Sequence, residues 1–332
     1  MNGVRPGIEI FRPFGEAFEL TNKILFQPFD LKKWFVIGFA AFLSGHLAGV
    51  GFNFPSPFGN FQSHRTAPEG ISLHFDQWKP WLVATVVVLA LLFFAVVIAL
   101  TWLKARGNFI FTDCVVRNRA AIVEPWREYQ KEGNSYFFFA LGLMFAVLLL
   151  AGLMLAGVIG LGWLKQGVDE TGSITSIGFL VFLGVFWVSI VIFVSIASYF
   201  MVPVMYRRRC RAVAAFRDVT LLIWHHLGSF FLLCLFEFVL ILAVLLIGGI
   251  VTCATCCLAA LPYLGTVILL PLFVCLRAFG LVFLRQFGPD YDVWMSSMPP
   301  EFLRILSGAP PGPTPTASGP NPPPEPPLAS TM

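Results

Sequence analysis

Charge is what this sequence has least of. Lys, Arg, Asp and Glu make up 12% of its 332 residues, against 57% apolar residues and a mean hydropathy of +0.79. A soluble domain carries about 25% charged residues, and half that complement is too little to coat a globule of this length in water. Recognisable reaction chemistry is missing too. The chain has no GxxxxGK[ST], no HExxH, no GxSxG and no helix-opening GxGxxG. Those are the patterns of phosphate cradles, zinc hydrolases, activated serines and dinucleotide folds. Their absence lowers the expectation of an enzyme without deciding it, and no cofactor or metal is expected. No basic domain or aromatic–basic platform is present, so nucleic acid is not expected as a partner. The first 33 residues hold nine charges and no apolar core of leader type, so no cleavable signal is expected. Of seven cysteines, Cys114, Cys210, Cys234 and Cys275 are scattered, unlike a secreted disulfide framework.

What is present is apolar sequence in long runs. A hydrocarbon layer of about 30 Å needs about 20 apolar residues per helix. Six segments qualify: Trp34–Phe52, Trp81–Leu103, Tyr136–Leu164, Ile177–Tyr206, Ser229–Val251 and Tyr263–Phe287. The runs are continuous, which excludes a β-barrel built from alternating segments of about ten residues. The expected fold class is all-α, a polytopic membrane helical bundle of six spans. It divides into an amphipathic N-terminal segment (1–33), the spanning domain (34–287) and a tail (288–332). The third and fourth spans are longer than a bilayer requires and are expected to tilt, kink or protrude. Pro203 and Pro271 each remove a helical N–H donor and mark kink points.

Threading follows from the basic residues. Eighteen of the 22 Lys and Arg fall in the N-terminal segment, the loops after the second and fourth spans, and the C-terminal side. Only Arg65, Lys79 and Lys165 fall in the opposite loops. The positive-inside rule puts the first set, and both termini, in the cytoplasm. In Phe14–Leu25, Phe14, Ala17, Phe18, Thr21, Ile24 and Leu25 share one face, as in a helix lying in the interface. Comparable stretches lead into the third and fifth spans, which suggests three parallel repeats of an amphipathic stretch plus a hairpin. The outer loop Asn53–Pro80 is rich in Phe, Pro and Gly. Residues 299–332 contain 12 prolines and are expected to stay disordered.

Two charges interrupt the apolar runs. Glu237 lies eight residues inward from Ser229, and Arg277 eight inward from Arg285. At about 1.5 Å per residue, both sit roughly 12 Å below the cytoplasmic surface. Equal depth on neighbouring antiparallel helices is the geometry of an intramembrane ion pair, which offsets part of the cost of each charge. The pair reads either as a tether fixing hairpin register or as part of a polar pathway for a proton, ion or headgroup. A third reading has no pair, with Glu237 protonated. Arg207, Arg208, Arg209 and Arg211 read as a cytoplasmic anchor or as a site for anionic phospholipid headgroups. Cys253, Cys256 and Cys257 at the outer turn are a candidate disulfide or simply small residues in a tight hairpin. His46 reads as a packing residue, and His225 and His226 as interfacial ones.

The stretches Phe111–Asp113 and Phe216–Asp218 repeat an F-x-D before each new hairpin. This layout resembles a group of uncharacterised bacterial polytopic membrane proteins. It is also loosely similar to the membrane domain preceding some glycerophosphodiester phosphodiesterases and to Yip-type proteins. The resemblance implies a protein of the bacterial cytoplasmic (inner) membrane and carries over no catalytic residue. The function expected is a non-enzymatic one, organising lipid or protein partners in the bilayer. The alternative is a small-solute or lipid transporter with Glu237 and Arg277 in its path.

Overall fold

Long apolar runs leave the backbone one way to satisfy itself away from water, the α-helix. The computed structural model describes residues 9–45, 80–164, 170–254, 262–295 and 298–307, and contains only helices and connections among them. The helices are α1 (Phe11–Phe26), α2 (Leu31–Leu43), α3 (Pro80–Val116), α4 (Val123–Glu128), α5 (Gln130–Leu164) and α6 (Glu170–Arg208). They continue as α7 (Ala212–His225), α8 (Leu227–Ala254), α9 (Pro262–Ile268), α10 (Leu270–Arg285) and α11 (Pro300–Ser307).

Four helices are long and apolar enough to cross a membrane: α3, α5, α6 and α8. They contain the second to fifth expected spans. The first and last expected spans differ. α2 has 13 residues, and the rest of that run, from His46, lies outside the described residues, as does most of the loop Asn53–Pro80. The last run is broken at Leu269 into pieces of 7 and 16 residues, each short of the roughly 20 a crossing needs. The cause is local. Pro271 has no N–H to offer the Val267 carbonyl four residues back. The Trp34 indole donates to that oxygen instead, at 2.9 Å. Pro203, by contrast, lies inside an unbroken α6.

α10 is the centre of the packing. It is buried at Leu270, Phe273, Val274 and continuously from Arg277 to Leu284. α1 runs antiparallel beside it: the Glu9 N–H donates to Gln286 Oε1 at 2.9 Å at one end, and Phe14 meets Phe279 further along. The inner face of α1 buries Ala17, Leu20, Thr21, Ile24 and Leu25. Phe18, expected on that face, stays 64% exposed. α8 runs antiparallel on another side, with Phe230 against Phe283 and Phe236 against Phe279. α10 also meets α3 at Arg277 and α6 at Gly280. Close approach needs glycine twice here. A Cβ on Gly107 would strike the Leu43 backbone, and one on Gly280 would lie 2.7 Å from the Tyr199 ring.

The packing is confined to one end of the long helices. α3 is buried mainly over Ala105–Val116 and α6 over Ala197–Tyr206. The most apolar windows of α3, α5, α6 and α8 are 0, 0, 6 and 11% buried. α11 lies within the stretch expected to be a disordered tail. Phe302 and Leu306 give it the apolar anchors that the proline-rich composition around them conceals. Residues 308–332 lie outside the described residues.

Candidate functional site

Arg277 is 5% exposed and its partners are neutral. Its Nε donates to Thr112 Oγ1 at 3.2 Å, and its Nη2 donates to the same hydroxyl and to the Asn108 carbonyl at 3.5 Å. The Tyr199 ring lies 5.4 Å from the guanidinium carbon and adds a cation–π contact. Tyr199 is fixed in turn by its own hydroxyl, which donates to the Leu276 carbonyl at 3.0 Å. Among the described residues, no ion pair joins Glu237 to Arg277. The reason is the spacing of their helices. α8 and α10 meet through interlocked phenylalanines, and Phe14 of α1 joins that cluster through Phe236 and Phe279. Tyr199 instead stands in the field of both charges. The Arg277 partners were visible in the sequence only as Asn108 and Thr112, two polar residues one turn apart on α3.

A second polar cluster gathers where α3 and α6 end. Asp113 is fully buried. It accepts hydrogen bonds from the Tyr206 hydroxyl at 2.9 Å and Arg119 Nε at 2.9 Å, and pairs with Arg117 Nε at 3.2 Å. Arg117 also reaches both Glu128 oxygens, at 3.1 and 3.3 Å. Tyr206 stacks on Tyr129, and the Arg209 guanidinium lies 3.8 Å from the centre of the Tyr129 ring. Arg209 also pairs with Glu128 and, at 3.6 Å, with Glu132. Burial pushes the Glu128 carboxyl up, but Arg117 and Arg209 more than offset it and leave it below its ordinary value. Asn118 ties in the periphery: it accepts from Lys33 at 2.7 Å and donates to Glu301 of α11.

Three helix ends carry an arginine near a left-handed turn. At two of them the arginine is followed at once by a left-handed residue, Arg117 by Asn118 at φ +51° and Arg208 by Arg209 at φ +51°, while at the third Gly288 at φ +127° comes three residues after Arg285. Each arginine then meets an acid further along: Arg117 with Glu128, Arg208 with Asp218 at 2.6 Å, and Arg285 with Asp292 at 3.0 Å. This divides the expected headgroup site. Arg208 is held by Asp218 and Asp290, and Arg209 by Glu128 and Glu132. Arg207 and Arg211 make no ion pair among the described residues.

The third feature is a crevice of about 430 Å³ between α1, α8 and α10. Phe18 and Phe26, Leu240 and Val244, and Leu272 and Leu276 form most of its walls. Its polar lining is slight. The Thr21 hydroxyl, on the wall, is already donated to the Ala17 carbonyl at 2.8 Å, and Asn22 is exposed at the rim. Phe14, also on the wall, packs on Phe236 beside it. A crevice of this size lies within the roughly 300–1,000 Å³ range of small-molecule sites. With no charge and almost no free donor, its chemistry suits a hydrocarbon chain.

A family model matches residues 9–292. The chain belongs to DUF7544, a family of unknown function. No curated protein and no solved structure matches it. Membership fits an uncharacterised membrane family and lends no support to the likeness to glycerophosphodiester phosphodiesterase membrane domains or Yip-type proteins.

The remaining candidates in this DUF7544 protein are quickly placed. Cys253 is exposed with a free thiol, while Cys256, Cys257 and His46 lie outside the described residues. The His226 ring packs on Phe287 at 5.1 Å. Among the described residues, no group of three or more His, Cys, Asp or Glu could hold a metal ion. Arg106 escaped the sequence reading. It is buried between Trp102 and Trp126, 4.8 and 5.0 Å from their ring centres, and donates to Asn134 at 2.9 Å.

Proposed function

We propose that this DUF7544 protein is a non-catalytic component of the bacterial inner membrane that holds a lipid chain and organises lipid or protein partners around it. The observation that carries this reading is the crevice between α1, α8 and α10. One of its walls is a membrane-length helix, and its lining is apolar apart from Thr21, Asn22 and the Cys275 thiol, with no charged side chain. A six-crossing arrangement with both termini in the cytoplasm rests on the charge distribution, and the arginine–acid pairs at three helix ends support a repeated unit. The test is labelling by a phospholipid with a photoactivatable acyl chain, mapped by mass spectrometry. Labels should concentrate on α1, α8 and α10, and Ala243→Trp, at a position of α8 that lines the crevice, should remove them. Labelling spread evenly over every long helix, unchanged in Ala243→Trp, would refute it.

A second reading, a solute or lipid transporter, is favoured by Arg277, a buried cation held by neutral groups. It requires flux in proteoliposomes that Glu237→Gln alters. A protein with no such flux is not a transporter of the solute tried.

A further inference from the structure

We infer that the outer face of α7, together with Arg207 and Arg211, docks on anionic phospholipid at the membrane surface. This surface is separate from the crevice, and the inference goes beyond the chain-holding role. α7 presents two apolar faces. Its inner one buries Ala212, Ala215, Val219, Leu222 and Ile223. Its outer one carries Val213, Arg217, Leu221 and Trp224, spaced i, i+4, i+8 and i+11 along a single stripe. Val213 is 70% exposed and Trp224 69%. A helix whose outer face meets water carries charged and polar residues there. This face carries three large apolar side chains around one arginine, the pattern of a helix immersed at a bilayer interface. Tryptophan and arginine both suit that depth, since each has an apolar body and a polar end.

Charge complementarity selects the lipid. Arg207, Arg211 and Arg217 make no ion pair among the described residues, whereas Arg208 and Arg209 between them are neutralised by four acids. Asp218 is the one acid on α7, and it is committed to Arg208. Of the three arginines without an ion pair, Arg217 lies in the apolar stripe, Arg211 is the N-cap residue of α7, and Arg207 lies in the last turn of α6 just before it. Their planar donor sets match phosphate oxygens, and the adjoining apolar stripe matches acyl chains, so the occupant is an anionic phospholipid leaflet. Each basic residue near such a surface strengthens association about five-fold.

The test uses the full chain in nanodiscs, with brominated phosphatidylglycerol or brominated phosphatidylcholine at equal mole fraction. The Trp224 signal is the difference in emission between the wild type and Trp224→Phe. Brominated phosphatidylglycerol should quench that difference several-fold more than brominated phosphatidylcholine. The triple variant Arg207→Gln, Arg211→Gln, Arg217→Gln should make the two lipids equivalent. Trp224 unquenched by either lipid overturns the inference, because water, a second copy or another protein then covers the stripe. Equal quenching by both lipids in the wild type overturns it as well, leaving apolar immersion without recognition. So does a preference that survives the triple variant. The wild-type comparison decides the matter even if that variant fails to fold.

Discussion

The two ends of α3 live by different rules. Over Ala105–Val116 it packs against its neighbours, carries Asp113 with no exposure, and uses Asn108 and Thr112 to hold Arg277. Over its most apolar window it buries nothing inside the protein, and its valines and leucines face outward. α5 and α6 repeat the contrast. At the packed end, a polar group must find a protein partner or leave a costly vacancy. Along the bare shafts the partner is hydrocarbon, as apolar as the side chains themselves, so packing brings no hydrophobic gain. Shape, charge and specificity therefore concentrate in the packed end, and the shafts act as anchors.

The largest test of that contrast is at Asp113. Removing it leaves Arg117 and Arg119 facing a buried gap and the Tyr206 hydroxyl without its acceptor. Breaking a buried ion cluster in this way costs about 3–5 kcal/mol. Asp113→Ala should lower the thermal midpoint in detergent, read by near-ultraviolet circular dichroism, by far more than Leu149→Ala on the α5 shaft. The shaft change should stay within about 0.5 kcal/mol. Comparable losses from both would mean that the shafts are packed against something and that the contrast is false.

How much of this was legible in the sequence divides along the same line. The shafts were readable because an all-round apolar run of sufficient length needs only its own composition to be recognised. In the last expected span, Tyr263–Phe287, Pro271 was readable as a kink point, but the interruption of the helix beside it, into α9 and α10, was not. The bond that replaces the missing proline donor, from the Trp34 indole to the Val267 carbonyl, joins residues too far apart in the chain for local pattern to reveal. Depth-matching brought Glu237 and Arg277 to neighbouring helices, but the phenylalanines between those helices have volume, and spacing along one strand of sequence does not report volume across a gap. The run Arg207–Arg211 was read as one group, which the ion pairs of Arg208 and Arg209 divide. Which arginine is paired depends on the left-handed turns at Asn118 and Arg209, and neither residue is a glycine that would have flagged such a turn.

Arg277 offers a finer test. Thr112 donates its hydroxyl to the Asn108 carbonyl at 2.7 Å independently of the guanidinium, so Arg277→Met leaves the surrounding polar groups satisfied and removes a desolvated charge. Its stability should stay within about 1.5 kcal/mol of the wild type, in the range of volume-conserving core changes. Combined with Glu237→Gln, the two effects should add to within about 0.5 kcal/mol, as for residues that share no contact. A coupling above about 1 kcal/mol in the cycle would restore the ion-pair tether, acting through Tyr199 or after a shift of the rings between α8 and α10.

The smallest expected effect is acid sensitivity at the packed end, and its sign is fixed by Glu128. With its folded pKa held below the ordinary 4.5 by Arg117 and Arg209, Glu128 contributes stability that is fully present above its unfolded value. That contribution fades as pH falls through the folded value, when the carboxylate takes up a proton and both guanidinium groups lose its charge. Glu128→Gln removes the titration without removing the side chain. The wild type should therefore be the more stable of the two at neutral pH, and the gap should shrink only below about pH 4.5. Because Glu128 is 30% exposed, solvent screening keeps the difference small, of order 1 kcal/mol or less. Midpoints of the two proteins that run parallel through that window would place the acid response outside Glu128.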